Sequence, residues 1–191
     1  MRKDFGNKTW LYPMPVLILA AYGSSGEPMA MNVGWGGICG DQTLMIDLGS
    51  THKTTEYLLQ SKAFTISPAT AKQLVACDYV GVVSGNDDPD KMARSGFHIH
   101  KARYVNAPIL EELPLTLECE LIRYDPDTKI LTGRIVNVSA DESILDENGS
   151  ICADLAGFLT LDPVSFAYRT IGPVAGMAFH DGRALSAKAG G

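Results

Sequence analysis

The pattern that most constrains the fold of this chain is a β-hairpin in its second half. Apolar and polar residues alternate from residue 115 to residue 121, which is typical of a strand with one buried face. Residues 125–128 (DPDT) predict a turn with proline at its second position, and residues 130–138 return as the partner strand. The sequence shows no repeated strand–helix–strand units, so we expect an antiparallel sheet.

Four further strands and three short helices complete the predicted secondary structure. The strands are expected at residues 15–22, 29–35, 43–48 and 64–67, and the helices at residues 53–63, 69–76 and 91–94. Ser50 or Thr51 is available as the N-cap of the first helix. Closing six short strands into a small antiparallel barrel removes exposed sheet edges. The sequence therefore predicts a mainly β protein with a few short helices.

Composition bounds the class of protein and its partners. The chain has 191 residues, 46% of them apolar and 20% charged, which is typical of one globular domain. We expect this domain to span residues 1–182, with a flexible tail at residues 183–191. A net charge of −6 argues against nucleic acid as a partner. The longest apolar stretch, residues 16–21, is too short to cross a membrane, and a cytoplasmic location is expected.

Signatures of metal binding and of nucleophilic catalysis are absent from the sequence. The four cysteines form no C-x-x-C pair, and we expect most of them to be buried free thiols, with disulfides left open. His98 and His100 would share one face of a strand, but an exposed polar face explains them better than a metal site does. No nucleophile elbow, metalloprotease or phosphate-loop motif occurs. We therefore predict no catalytic residue and no metal ligand.

A glycine-rich stretch at residues 31–38 (MNVGWGGI) is a candidate site for a flat ligand. Glycines expose main-chain groups and let a ring approach the backbone. An amide side chain in this stretch could supply a donor and an acceptor, and its tryptophan could flank an aromatic ring. The alternative is a bulged strand end with the tryptophan in the core. The candidate residues are Asn32, Val33, Gly34 and Trp35.

A second stretch has the parts of an anion site. A predicted strand ends near residue 48 and a helix begins near residue 53, so free main-chain N–H groups and the positive end of the helix dipole meet there. Hydroxyl and basic side chains surround this point, which favours phosphate binding. A well-capped helix with a basic first turn is the alternative. The candidate residues are Ser50, Thr51, His52, Lys53 and Thr54.

At the level of whole segments, the chain resembles the flavin reductase-like proteins with an FMN-binding split barrel, most closely the flavoredoxin branch. The resemblance extends through about 160 residues in order and spacing. It rests on residues 15–23 (PVLILAAYG), 31–49 (MNVGWGGICGDQTLMIDLG), 52–58 (HKTTEYL), 64–68 (FTISP), 78–85 (DYVGVVSG), 107–121 (APILEELPLTLECEL) and 140–145 (ADESIL).

The resemblance implies a six-stranded antiparallel split barrel of Greek-key type that forms a homodimer with FMN near the subunit interface. In the family the isoalloxazine ring lies against the segment that corresponds to residues 32–35, and the phosphate lies at residues 50–54. A third contact region falls on Ser84, Gly85, Asp90 and Lys91. His52 and Lys53 stand where some relatives carry arginine, so the side chain that contacts the phosphate stays open.

The resemblance leaves three functions open. A flavoredoxin-like carrier passes electrons through its bound flavin to and from a protein redox partner, and this is the function we expect. The alternative is an NAD(P)H-dependent flavin reductase, an enzyme of the oxidoreductase class. A flavin-binding storage or sensing module without turnover is the third. No separate motif for a pyridine nucleotide occurs in the sequence, which favours the carrier.

Overall fold

The structure is a computed structural model that describes residues 1–186. Its helices are α1 (Lys53–Ser61), α2 (Leu74–Val82), α3 (Lys91–Ser95), α4 (Ala153–Ala156) and α5 (Arg183–Ser186), with 3-10 turns at Ala71–Gln73 and Glu142–Ile144. Its strands are β1 (Met14–Pro15), β2 (Leu17–Tyr22), β3 (Pro28–Val33), β4 (Gly36–Gly40), β5 (Thr43–Asp47), β6 (Ala63–Pro68), β7 (Ile99–Lys101), β8 (Pro108–Leu110), β9 (Leu115–Asp125), β10 (Ile130–Ala140), β11 (Leu159–Asp162) and β12 (Ala167–Thr170).

The main sheet has seven antiparallel strands in the order β3-β2-β6-β9-β10-β5-β4. Strands β3 and β4 lie at opposite edges of this order, yet only Gly34 and Trp35 separate them in the chain. Because two linking residues span roughly 10 Å at most, the sheet must curl until its two edges are close together. The predicted antiparallel split barrel is thereby confirmed.

The predicted hairpin is confirmed as β9 and β10, the two longest strands, which pair along their whole length. The pairing shifts register between Thr132 and Gly133 and again between Ile135 and Asn137. Such bulges bend a strand and increase its twist, which helps a sheet to curl. Gly133 is required at the first bulge, because a Cβ there would lie 2.5 Å from Cζ of the buried Phe64.

The core fills the concave side of the curled sheet and extends under α1. Phe64, Ile18 and Leu131 are almost fully buried, and Leu58 of α1 joins them. Burial of one such side chain stabilises a fold by roughly 1.5–3 kcal/mol. This packing fixes α1 against β2 and thereby fixes the position of the helix N-terminus.

A second sheet of three strands, β1-β11-β12, holds the N-terminal segment. The hydroxyl of Tyr12 donates a hydrogen bond to Asp162, and Arg169 forms an ion pair of 3.2 Å with the same carboxylate. The hydrogen bond from Tyr12, together with those from the main-chain N–H groups of Val164 and Ser165, holds the pKa of Asp162 below its usual range. The carboxylate therefore ties the chain before β1 to the chain after β11.

Some elements differ from the sequence-based expectation. The main sheet has seven strands rather than six, because the glycine-rich stretch forms β4 as a separate edge strand. The helix expected at residues 69–76 is displaced, since a 3-10 turn precedes it and α2 continues to Val82. Residues 183–186 form α5, so the expected flexible tail begins with a helical turn, and residues 187–191 lie outside the described part. Within residues 1–186 no helix is long and apolar enough to span a membrane.

The expected N-cap of α1 is wrong. The N-cap residue is His52, whose side chain makes no capping hydrogen bond. Ser50 and Thr51 lie two residues and one residue too early, respectively, and the hydroxyl of Thr55 donates a hydrogen bond of 2.8 Å to the Gly49 carbonyl. The first N–H groups of α1 therefore receive no bond from a capping side chain.

Candidate functional site

A cavity of about 260 Å³ lies where the N-terminus of α1, the C-terminus of α2 and the start of α3 meet. We call it the cationic cleft, because three basic side chains line it and no carboxylate does. Its lining residues are Met31, Asn32, His52, Lys53, Thr54, Val80, Gly81, Val82, Val83, Ser84, Gly85 and Lys91.

Lys91 is the group that gives the cleft its charge. It is the first residue of α3, and only 2% of it is exposed. Burial lowers the pKa of its ammonium group from 10.5 to about 8. Within residues 1–186 no carboxylate forms an ion pair with it. A buried cation without a counter-ion costs free energy, so the arrangement favours an anionic ligand.

Lys53, in contrast, already has partners in the protein. Its ammonium nitrogen lies 3.0 Å from an oxygen of Glu56 and 5.0 Å from the ring centre of Tyr57. The pKa of the Glu27 carboxyl is lowered, first by the main-chain N–H of Glu27 itself and second by the Tyr57 hydroxyl. Lys53 therefore lies at the wall of the cleft with its charge balanced, and the uncompensated cation is Lys91.

The loop after α2 forms the opposite wall and is tied to the loop before α1. The side-chain amide of Asn86 donates a hydrogen bond of 2.8 Å to the main-chain oxygen of Thr51. Gly85 packs tightly, because a Cβ there would lie 2.7 Å from the sulfur of Met29 and 3.2 Å from Cβ of Lys53. Asn86 is not among the predicted site residues, although residues 86–90 (NDDPD) have the composition of a turn.

Asn32 forms the floor of the cleft, next to α2. Its side-chain nitrogen donates a hydrogen bond of 3.2 Å to the main-chain oxygen of Cys77. Gly81 permits this close approach, because a Cβ at that position would lie 2.8 Å from Cβ of Asn32. The orientation of the Asn32 amide is thus fixed by the helix beside it.

The structure brings seven of the thirteen predicted site residues together in the cleft: Asn32, His52, Lys53, Thr54, Ser84, Gly85 and Lys91. Val33, the last residue of β3, is buried, and Ser50 and Thr51 lie on the exposed turn before α1. Asp90, the residue before α3, is exposed and does not line the cleft.

Gly34 and Trp35 line a separate, mostly apolar groove of about 470 Å³, together with Trp10 and residues 13–15. Trp35 is 52% exposed, so the alternative that it belongs to the core is wrong.

The described part of the chain shows neither a reactive thiol nor a cluster of metal ligands. All four cysteines are free. Burial raises the pKa of the Cys77 thiol to about 11, so it stays protonated at neutral pH. His98 pairs with Glu112 at 2.6 Å, which raises the pKa of the imidazole. Among residues 1–186 no group of three or more potential ligands could hold a metal ion.

Comparison with known proteins gives a consistent result. The model of the flavin reductase like domain matches residues 9–163. The flavoredoxin of Desulfovibrio vulgaris (Miyazaki F) is 30% identical, with a TM-score of 0.90 over 95% of this chain and 100% of that chain. A flavoredoxin from Methanosarcina acetivorans is 25% identical, with a TM-score of 0.86 over 97% of this chain and 99% of that chain.

More distant structures share the fold. An FMN-binding domain of a flavin reductases-like enzyme from Shewanella baltica OS155 is 22% identical, with a TM-score of 0.75 over 85% of this chain and 88% of that chain. The search of curated proteins found no match.

Proposed function

Because the chain belongs to the flavin reductase-like family, we propose that it binds FMN at the cationic cleft and carries electrons through this flavin. The similar flavoredoxins support the carrier role, since they match almost the whole chain. FMN is also the group that the Shewanella baltica neighbour binds according to its description. FMN suits the cleft because its phosphate is an anion and its ring system offers both donors and acceptors.

The observation that carries this proposal is Lys91. Its buried ammonium group has no carboxylate partner within residues 1–186, and the first N–H groups of α1 open on the same cleft. A helix N-terminus and a buried cation together form a strong site for a phosphate group. The residues present therefore fit FMN.

The residues of the cleft have distinct roles in this proposal. Lys91 supplies a fixed positive charge, and the main chain at Lys53 and Thr54 supplies N–H donors at the helix end. When bound, FMN supplies reversible redox chemistry with one or two electrons. A positive charge fixed in a poorly solvated site favours the uptake of negative charge nearby, so Lys91 raises the reduction potential of the site. No general base is needed for electron transfer.

We also propose a homodimer. The edge strand β4 and the segment before it expose the apolar side chains of Trp35 and Ile38, which are 52% and 67% exposed. A second copy of the chain would cover them, and a ligand bound between two copies would stabilise the dimer by mass action. The four free cysteines support a location in the reducing cytoplasm.

The direct experiment compares electron donors. The purified protein is loaded with FMN, and bleaching of the bound flavin is followed anaerobically by stopped flow, once with NADH or NADPH at millimolar concentration and once with a reduced ferredoxin-like donor. A carrier is reduced quickly by the protein donor and slowly by either nucleotide. Bleaching by a nucleotide at tens per second, a rate usual for enzymes, would instead identify an NAD(P)H-dependent flavin reductase. Protein that takes up no FMN would refute the whole proposal.

A further inference from the structure

The two groups of the cationic cleft that suit a phosphate lie on opposite walls. The free main-chain N–H groups at the start of α1 lie on one wall, and Lys91 of α3 lies on the other. A phosphate oxygen accepts a hydrogen bond at donor distances of about 2.7–3.2 Å. One phosphate group can therefore bind to both walls only if the spacing between them is fixed.

The wall that carries Lys91 is held together by its own hydrogen bonds. We call residues 84–90, which lie between α2 and α3, the cleft loop. Asp88 of this loop accepts hydrogen bonds from the hydroxyl of Tyr79 in α2, at 3.3 Å, and from Arg94 in α3, at 3.2 Å. The main-chain N–H of Lys91 donates to the carbonyl of Asp88, at 3.3 Å. The cleft loop and Lys91 are therefore anchored together to α2.

The wall at the start of α1 has less support from its own residues. The N-cap residue His52 makes no capping hydrogen bond with its side chain. Within residues 1–186, the main chain of residues 50–52 receives one hydrogen bond from another part of the chain. In this bond the side-chain amide of Asn86 donates to the main-chain oxygen of Thr51, at 2.8 Å. Because this oxygen belongs to the peptide unit that leads into His52, the bond orients the entry to α1.

The bond from Asn86 to Thr51 also ties the two walls together. Within the described residues 1–186, no other hydrogen bond or ion pair joins the cleft loop to residues 49–54. The walls touch beside this bond, since a Cβ at Gly85 would lie 3.2 Å from Cβ of Lys53. Asn86 and Thr51 are both exposed, so their bond lies outside the core. Its main effect is therefore on the spacing of the walls and not on the stability of the fold.

We propose that Asn86 is a positioning residue that sets the spacing between the start of α1 and Lys91, and thereby makes the cationic cleft select a phosphorylated flavin over an unphosphorylated one. Asn86 acts through the Thr51 carbonyl and needs no contact with the ligand. Riboflavin lacks the phosphate, so its binding does not depend on this spacing. The inference rests on the proposed flavin site and adds to it the residue that determines the preference for FMN.

The first test measures the Kd of FMN and of riboflavin for the full chain by flavin fluorescence. Asn86→Ala is expected to raise the Kd for FMN roughly three- to tenfold, the scale of one hydrogen bond, and to leave the Kd for riboflavin within twofold. The matched control is Asn148→Ala, because Asn148 is also exposed and its side chain forms no hydrogen bond within residues 1–186. We expect this control to stay within twofold for both flavins. An equal loss of affinity for both flavins in Asn86→Ala, or an unchanged Kd for FMN, would overturn the positioning role.

The second test needs no flavin. Inorganic phosphate is titrated into ¹⁵N-labelled, ligand-free protein, and the main-chain amide signals of Lys53 and Thr54 are followed by nuclear magnetic resonance. We expect saturable shifts in the wild type and a Kd for phosphate roughly three- to tenfold higher in Asn86→Leu, because leucine has nearly the size of asparagine but cannot donate a hydrogen bond. Equal phosphate affinities of the two proteins would overturn the proposal, and so would a wild type that binds no phosphate.

The two tests separate this inference from the proposed function. If the wild type binds FMN and both Asn86 variants keep that affinity, the positioning role is refuted and the flavin site stands. If the wild type binds no FMN, the flavin site is refuted, and the phosphate titration still decides whether Asn86 sets the spacing. Urea unfolding shows whether each variant is folded, and we expect both midpoints to stay close to that of the wild type. If one variant fails to fold, the other decides in both tests.

Discussion

Replacement of Lys91 by methionine should stabilise the ligand-free protein and weaken FMN binding at the same time. Lys91 is 2% exposed as a residue, and burial lowers the pKa of its ammonium group from 10.5 to about 8 on folding. Each tenfold change in proton affinity corresponds to about 1.4 kcal/mol. The buried charge therefore costs the ligand-free protein roughly 3 kcal/mol at neutral pH. Methionine has a similar length and no charge, so we expect Lys91→Met to recover about 1–3 kcal/mol of unfolding free energy.

The buried Lys91 also determines how the free energy of unfolding changes with pH. Between pH 8 and pH 10.5 the unfolded chain holds a proton on Lys91 that the folded chain has lost, so the free energy of unfolding rises with pH in this window. Below pH 8 Lys91 is protonated in both the folded and the unfolded state, so the full free-energy cost of burying its charge is present. Lys91→Met should remove this rise. Urea unfolding of ligand-free protein at a series of pH values measures it, with the exposed Lys101→Met as a matched control.

The affinity for FMN should fall in Lys91→Met, although the stability of the ligand-free protein rises. A hydrogen bond to a charged group contributes roughly 1.5–3 kcal/mol, so the Kd for FMN should rise about tenfold to 150-fold in Lys91→Met. Riboflavin, which lacks the phosphate, should lose less affinity. Flavin fluorescence gives both constants. Two results would refute this role of Lys91. One is a lower free energy of unfolding of ligand-free Lys91→Met, and the other is an FMN Kd of Lys91→Met within threefold of the wild-type value.

Three further predictions follow from the packing and the surface. Gly81→Ala should destabilise the fold by about 1–3 kcal/mol and weaken FMN binding, because its Cβ would collide with Asn32; urea unfolding and flavin titration check this. The depressed pKa of Asp162 contributes stability above about pH 4 that is lost as the pH falls, so Tyr12→Phe should unfold at a higher pH in an acid titration. Light scattering of FMN-loaded protein should give twice the mass of one chain, and the mass of a single chain would refute the dimer.

The fold could be predicted wherever a pattern is local. The alternation from residue 115 onward identified the β9–β10 hairpin, but not which side chains are buried. Thr116 and Glu118 are buried although they are polar, because Thr116 hydrogen-bonds to Ser67 and Glu118 accepts hydrogen bonds from Asn137 and from the main chain of Tyr104. Strand β4 was missed as a separate element, because its glycines carry no side chains that could alternate. Helix α2 was placed too early and too short, since its residues are apolar nearly all round and show little helical period.

The sequence predicts which segments form the candidate site, but not which side chain in them carries an unbalanced charge. Lys53 and Lys91 are both plain lysines in the sequence. Only the packing shows that Lys53 is balanced by Glu56 while Lys91 is buried without a carboxylate partner in residues 1–186. The hydrogen bond from Tyr168 to Asp78 joins residues 90 positions apart in the chain, which no local pattern encodes.

The composition of the edge strand β4 affects the tendency of the newly synthesised chain to aggregate. In a single copy of the chain, this edge presents unpaired main-chain groups beside an apolar side chain, Ile38, and such an edge is a template for misassembly. Three of its five residues are glycine, and glycine lowers the tendency of a segment to pair as a strand. The glycines thus make the uncovered edge a poor template for aggregation. A Gly37→Val variant should fold normally, because a Cβ at this position meets no atom within 4 Å. It should nevertheless give a lower yield of soluble protein.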